Sequence, residues 1–312
     1  MDMKVLEFTF GGENHMVMKL RLFLLLFVIV YLFSCTKETD TDNYPFDSVN
    51  YLNELIAIDN DMTKALGLFT GEEFAACGVI DTSFNELANR YTLNFDGNSC
   101  NNKIYRKGLI EVELLAGSVW METGAQIKVN VVNLELRDVN TGLTVVVNGS
   151  RTFTNLSGDL DILDLVEGTN EMLRKVEGVN LSLTYPDGTS RTWNESYTIR
   201  TRKAGFDYYF EIIGDATGLL YEGASSWGVN RSGQNFYTVP NTPIKSILCT
   251  GSNWVICGGD VSIYNDSRAT TRILHGLNNL GNVSTDACFA NTMKIIWVDD
   301  SGETHESLKQ YY

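Results

Sequence analysis

The sequence predicts an all-β fold: an antiparallel meander curled into a sandwich or open barrel, with a short N-terminal helical segment after a signal peptide. Three observations predict it. Apolar and polar residues alternate with period two through most of residues 77–312, which is the pattern of half-buried strands. Dipeptides that favour positive φ (Asp96-Gly97, Asn148-Gly149, Asp187-Gly188 and Ser301-Gly302) lie between the alternating runs, where they would close hairpins. No strand–helix rhythm of the kind that builds a parallel sheet is present.

Taken in chain order, residues 1–34 read as a signal peptide. Lys19 and Arg21 precede an unbroken apolar run of twelve residues, Leu22 to Phe33. A bilayer-spanning helix needs about 20 such residues, so the run fits an export signal better than a membrane anchor. It ends on Leu32-Phe33-Ser34-Cys35, which resembles a bacterial lipobox, with lipid carried on the Cys35 thiol after cleavage before it. Met18 directly precedes the basic residues and is the expected start, so that residues 1–17 are a mis-called extension. Residues 35–48, rich in Thr, Asp, Lys and Glu, read as a solvated acidic tether. Lysine and acids just behind the lipidated cysteine resemble the surface-export signal of Bacteroidetes lipoproteins.

Residues 49–76 carry Met62, Ala65, Leu66 and Phe69 at three- and four-residue steps, which predicts one or two short helices ending near Gly71. The β domain follows from residue 77. Its strands are Leu109–Leu114, Gln126–Val131, Leu143–Val147, Asn180–Tyr185, Trp193–Thr201, Tyr208–Ile213 and Met293–Val298, all rich in β-branched and aromatic residues. A turn, a basic residue and an aromatic strand recur at Asn148–Phe153, Asp187–Trp193 and Asn230–Tyr237, which we read as recurrent hairpins.

The order of these pieces is similar to a group of uncharacterised Bacteroidetes outer-membrane lipoproteins. The resemblance runs through Cys77, Asp96-Gly97, Cys100 and Arg106-Lys107-Gly108, then Gly149–Asn155, the Gly188 and Gly233 hairpins, Cys249, Cys288 and the strand pair around Gly302. It covers most of residues 50–308. It implies an all-β lipoprotein and brings no catalytic residues with it.

A formal net charge of -15 repels phosphate backbones and anionic surfaces at long range and excludes nucleic acid as a partner class. Removing residues 1–34 takes away as many acids as bases and leaves that charge unchanged. Five cysteines remain besides Cys35, and an oxidising compartment favours pairing them. Cys77 would pair with Cys100. Cys249 would pair with Cys288 and leave Cys257 odd, or Cys257 would pair with Cys288 and leave Cys249 odd. No cysteine or histidine spacing matches a metal site, so no metal or other cofactor is expected.

Catalytic candidates are few. His275 reads as a packed or edge strand residue and His305 as a solvated one, and no nucleophile elbow is present. Glu111 and Glu113 share a strand face as a glycosidase pair would, but outward glutamates on a half-exposed sheet give the same pattern. Asp59-Asn60-Asp61 and Asp159, Asp161 and Asp164 lack the glycine and distal glutamate of a calcium loop. Aromatics crowd residues 193–237, and Trp193, Trp227 and Tyr237 are the expected ligand contacts if an outer face aligns them against sugar rings. The expectation is a non-catalytic, membrane-anchored envelope module, structural or ligand-binding, with a glycan or an envelope protein as partner. The alternatives are a carboxylate-dependent carbohydrate-active enzyme and a subunit of an envelope complex.

Overall fold

The computed structural model describes residues 79–310 apart from 86–88, 97–103, 118, 140–141, 159–163, 250–252, 266–267 and 300. The signal peptide, Cys35, the tether, the helical segment over 49–76, Cys77 and Cys100 lie outside the described residues. Among the described residues fourteen strands form one antiparallel sheet. They are β1 (Val79–Asn85), β2 (Arg90–Asp96), β3 (Ile104–Ala116), β4 (Gln126–Asp138), β5 (Thr144–Asn155), β6 (Met172–Thr184) and β7 (Ser190–Ala204), followed by β8 (Asp207–Gly214), β9 (Ser226–Val229), β10 (Asn235–Cys249), β11 (Asn253–Asn265), β12 (Arg268–Leu277), β13 (Thr292–Val298) and β14 (Thr304–Gln310). No α-helix occurs among the described residues.

The strands follow one another in sequence order with one exception. The C-terminal half of β7 pairs with β8 and its N-terminal half with β9, and β10 does the same from the other side. β8 and β9 therefore lie end to end in one lane, interrupted by residues 215–225. The fold is the expected meander with a single break in its eighth lane.

One face of the sheet is dry. Leu93, Ile110, Ile127, Val147, Val176 and Ile273, each on a different strand, are almost fully buried. Alternation alone gives a strand one apolar face, and among the described residues no helix covers that face. A single sheet meets this demand by curling so that its inner face packs upon itself, as the period-two pattern predicts. Where alternation slips, a bulge restores it. In β4 the buried parity changes between Val131 and Leu134 at Asn133 (φ 47), and in β6 between Gly178 and Leu181 at Asn180 (φ 54).

The inner face also holds charge. Arg151 of β5, Gly178 of β6 and Glu195 of β7 occupy one rung across three strands. The Arg151 guanidinium forms an ion pair with Glu195, both side chains 1–2% exposed, and Trp193 Nε1 donates to Glu195 Oε2 at 3.3 Å. The pair spans two strand spacings because Gly178 has no side chain. A Cβ there would lie 2.5 Å from Glu195 Cγ. Arg191 is equally buried, its guanidinium 4.0 Å from the centre of the Phe236 ring.

Four hairpins share one loop: Tyr185–Thr189, Asn230–Gln234, Asn278–Asn282 and Asp299–Glu303. In each, the first N–H donates to the last carbonyl and the glycine N–H donates back to the first. Gly188, Gly233, Gly281 and Gly302 supply the positive φ at the third loop position (φ 78–86), the three-residue hairpin ending in a bulge. Asp187-Gly188 and Ser301-Gly302 are thus hairpin turns as expected. Asn148-Gly149 is not. It lies inside β5 at a bulge, where a Cβ on Gly149 would come within 2.7 Å of the Leu181 backbone. The glycine there serves close strand approach, not chain reversal, and Arg151 and Phe153 beyond it point into the core.

Candidate functional site

Directly opposed residues of an antiparallel pair project from the same face. Asn194 opposes Trp227, Trp227 opposes Tyr237, and Tyr237 opposes Tyr264. These four residues of β7, β9, β10 and β11 form one rung. Their chain neighbours Trp193, Phe236 and Ile263 are buried on the inner face, so the rung lies on the outer face. Adjacent strands are about 4.8 Å apart, which sets the spacing of three partly exposed rings in a row.

A fourth ring joins them from the break in the eighth lane. Tyr221 stacks on Tyr264 with ring centres 4.1 Å apart and tilts against Tyr237 at 5.2 Å. The excursion that carries it is fixed at its base. Ser225 N donates to the Thr238 carbonyl at 2.8 Å, Ser196 N to the Ser225 carbonyl at 3.0 Å, and Gly223 N to the Ala216 carbonyl at 2.9 Å. The Asp215 carboxylate accepts from Ser196 Oγ at 2.7 Å and Thr198 Oγ1 at 2.8 Å and pairs with Lys175 at 2.7 Å. Burial alone would raise the Asp215 pKa, but these partners outweigh it and hold the group below the usual carboxylate range. Gly228 lets β9 approach β7, since a Cβ there would meet the Thr192 carbonyl at 2.1 Å.

The expected aromatic contacts therefore divide. Trp227 and Tyr237 share the outer rung, whereas Trp193 is 2% exposed and packs in the core. Tyr221 and Tyr264 complete the rung and were not singled out by the sequence. Their signal was available in part, because Tyr264 ends an alternating run and faces the same way as Ser262.

On the outer face Asp260 is held as an anion. Asp260 accepts from Arg272 at 2.9 and 2.6 Å and from Asn241 at 3.1 Å, and these bonds, Arg272 foremost, lower its pKa. Glu111 and Glu113 both lie on the outer face, and Glu111 pairs with Arg90 at 3.4 Å. Asp159 and Asp161 lie outside the described residues; Asp164 is described, and its backbone carbonyl accepts from Asn170 Nδ2 at 3.0 Å.

Cys249 and Cys288 form a disulfide with Cα atoms 5.8 Å apart, and Cys257 is free. This selects one of the two pairings left open by sequence. Burial raises the Cys257 thiol pKa. His275 is packed on the inner face as expected, and burial lowers its pKa to about 4. His305 is only partly exposed: its Nε2 lies 2.7 Å from Asp299 Oδ2 and its ring stacks on Trp297. The three-residue turn brings Asp299, Glu303 and His305 together, with ligand atoms within 4.8 Å of one another. The Asp299 Oδ1 atom is already taken by Ser301 N, Ser301 Oγ and Glu303 N, so the group reads as a turn clamp. In comparisons with known proteins, no family model, no curated protein and no solved structure matches this chain.

Proposed function

We propose that the chain is a lipid-anchored envelope protein, held through Cys35, whose sheet binds glycan on its outer face without transforming it. The observation that supports this reading is the outward rung of Trp227, Tyr237 and Tyr264 with Tyr221 stacked across it. Aromatic rings on the wet side of a sheet present an apolar face with a polar rim, which suits the C–H faces of sugar rings. Cross-strand packing alone would need no fourth, half-buried ring brought in on an excursion bonded at its base. The neighbouring Asp215 and Asp260, locked as anions, support binding rather than hydrolysis, because a glycosidase needs one carboxyl protonated at working pH.

The test is retention of the protein in native gels cast with a panel of soluble polysaccharides, followed by calorimetry on those that retain it. A stacked ring contributes about 1.4 kcal/mol, so Trp227→Ala and Tyr264→Ala should each weaken binding roughly tenfold with unchanged circular dichroism. Binding unaffected by both substitutions, or no retention by any polysaccharide, would refute the platform. Turnover of a bound glycan would return the enzyme alternative. Cys35→Ala should separately abolish lipid labelling.

A further inference from the structure

The strand registers place the β7–β8 and β10–β11 hairpins and the β12–β13 connection at one end of the strands, because Ala204 opposes Asp207, Cys249 opposes Asn253, and Leu277 opposes Thr292. The four most exposed large apolar side chains of the described residues lie there: Phe206 at 99%, Leu280 at 80%, Val283 at 77% and Phe289 at 72%. Phe206 sits at the tip of a two-residue turn whose first position, Gly205, has φ 64. The other three belong to residues 278–291, a segment pinned by the Cys249–Cys288 disulfide and by Asn278, whose Oδ1 accepts from Leu280 N at 2.9 Å and Asn282 N at 3.2 Å. These are held projections, and Asp286 is the single charged residue of the segment.

Behind the Phe206 tip stands a cationic collar. Lys203 lies over the Tyr208 ring at 5.5 Å and Lys245 over the Tyr209 ring at 3.9 Å. Arg200 and Arg202 both grip Glu211 at 2.6 Å. Four cations thus stand with three carboxylates, Asp207, Glu211 and Glu171, the last 4.0 Å from Arg200, in a chain whose net charge is -15. Glu171, just before β6, bounds the patch on the other side of β7.

We propose that this end of the sheet is a second, non-covalent contact with a lipid bilayer, in which Phe206, Leu280, Val283 and Phe289 enter the headgroup region and the collar meets lipid phosphate. Apolar tips, tyrosines at the level behind them and cations behind those follow the order of polarity across a membrane interface. A protein partner would call for a contiguous face of about 800 Å² rather than separate loop tips. The net negative charge opposes approach at long range, but at physiological salt fields are screened within about 8 Å, so at contact the local collar decides.

The test introduces single indoles into the full-length chain, Phe206→Trp and Leu280→Trp, with Leu220→Trp on the outer-face excursion as control. Each protein is mixed with vesicles of phosphatidylcholine, with or without added phosphatidylglycerol, and the unmodified protein's emission is subtracted. The expected result is a blue shift of the first two added signals and their loss in brominated-lipid vesicles, stronger with phosphatidylglycerol, with the Leu220→Trp signal unchanged. Failure of both tips to respond overturns the proposal, as does an equal response from Leu220→Trp. An equal response with and without phosphatidylglycerol overturns the role of the collar. The readout is independent of the glycan platform, and it reports tip contact whether or not Cys35 carries lipid.

Discussion

Substitution of Glu195 by Leu is the sharpest test of how the interior is built. The carboxylate serves the Arg151 guanidinium and the Trp193 indole at once, at a site with 1–2% exposure. Removing one partner of a buried ion pair costs about 3–5 kcal/mol, because the remaining charge keeps its desolvation penalty. Domains of this kind hold about 5–15 kcal/mol in total, so the loss should shift a urea midpoint strongly and leave a marginal fold. The double variant Arg151→Met/Glu195→Leu removes the charge along with its partner and should recover most of that loss, since well-packed apolar residues often replace buried pairs without penalty. Gly178→Ala supplies the third corner. Its Cβ would meet Glu195 Cγ at 2.5 Å and Leu181 Cδ1 at 2.6 Å, an overpacking that costs about 1–3 kcal/mol. With Glu195→Ala in place that cost should fall, because one of the two clashing side chains is gone. Chemical denaturation of the unmodified protein and these variants, with Glu195→Ala alone as the reference for its combination with Gly178→Ala, checks all of this. A Glu195→Leu loss below about 1 kcal/mol, or no recovery in the double variant, would refute the reading of the rung as a mutually dependent unit.

The remaining predictions concern titration and redox. His275 has its pKa lowered to about 4 by burial, so its contribution is fully present above the unfolded value near 6.5 and is lost as pH falls toward 4. Roughly 3 kcal/mol is at stake, and His275→Gln should flatten the fall in urea midpoint between pH 7 and 4. His305 shifts the other way: its bond to Asp299, the largest cause, raises its pKa, so the β13–β14 clamp is complete below pH 6.5 and weakens as pH rises through the raised value. Amide exchange at Ser301 and Glu303 should quicken across that window in the native protein and show no such step in His305→Gln. Reduction of Cys249–Cys288, which closes a loop of sequence separation 39, should cost about 4 kcal/mol on the chain-entropy account, read as a shift in melting temperature. Alkylation of the unreduced protein should label Cys257 among the described cysteines, slowly at neutral pH because its thiol pKa is raised.

The strands were legible because half-buried antiparallel strands write their geometry into period two, and the hairpins because Asp187-Gly188 and Ser301-Gly302 occupy loop positions that only a positive φ fits. What was not legible follows from the same physics. Along β7, Arg191, Trp193, Glu195 and Tyr197 face inward while Thr192, Asn194, Ser196 and Thr198 face outward. Each set mixes or lacks charge in a way that hydropathy does not rank, so Trp193 and Trp227 look alike in sequence although they stand on opposite faces. The inward set is stable only because Arg151, forty-four residues earlier, meets Glu195 across a glycine. Asn148-Gly149 misled for a related reason: a glycine that admits a neighbouring strand looks the same in sequence as one that reverses the chain. Asp299 and His305 lie six apart, and only the three-residue turn between them makes them partners.

The break in the eighth lane ties the fold to the proposed site. Leaving the sheet at Asp215 and re-entering at Ser226 forfeits ladder bonds to both β7 and β10, and the base of the excursion recovers them through Ser196, Thr238 and the Lys175–Asp215 pair. A loop needed only to connect β8 to β9 would be shorter, since the two strands already lie end to end in one lane. The additional residues bring Tyr221 across Tyr237 and Tyr264, and they leave Leu220 in solvent. Rings held by a fixed backbone lose little freedom when a ligand stacks on them, so a rigid platform converts more of its contact into affinity than a mobile one of the same area. Excursion and rung therefore function together: without the base bonds of Asp215, Tyr221 would be a mobile side chain above two strands, and the fourth ring would add area without adding preorganisation.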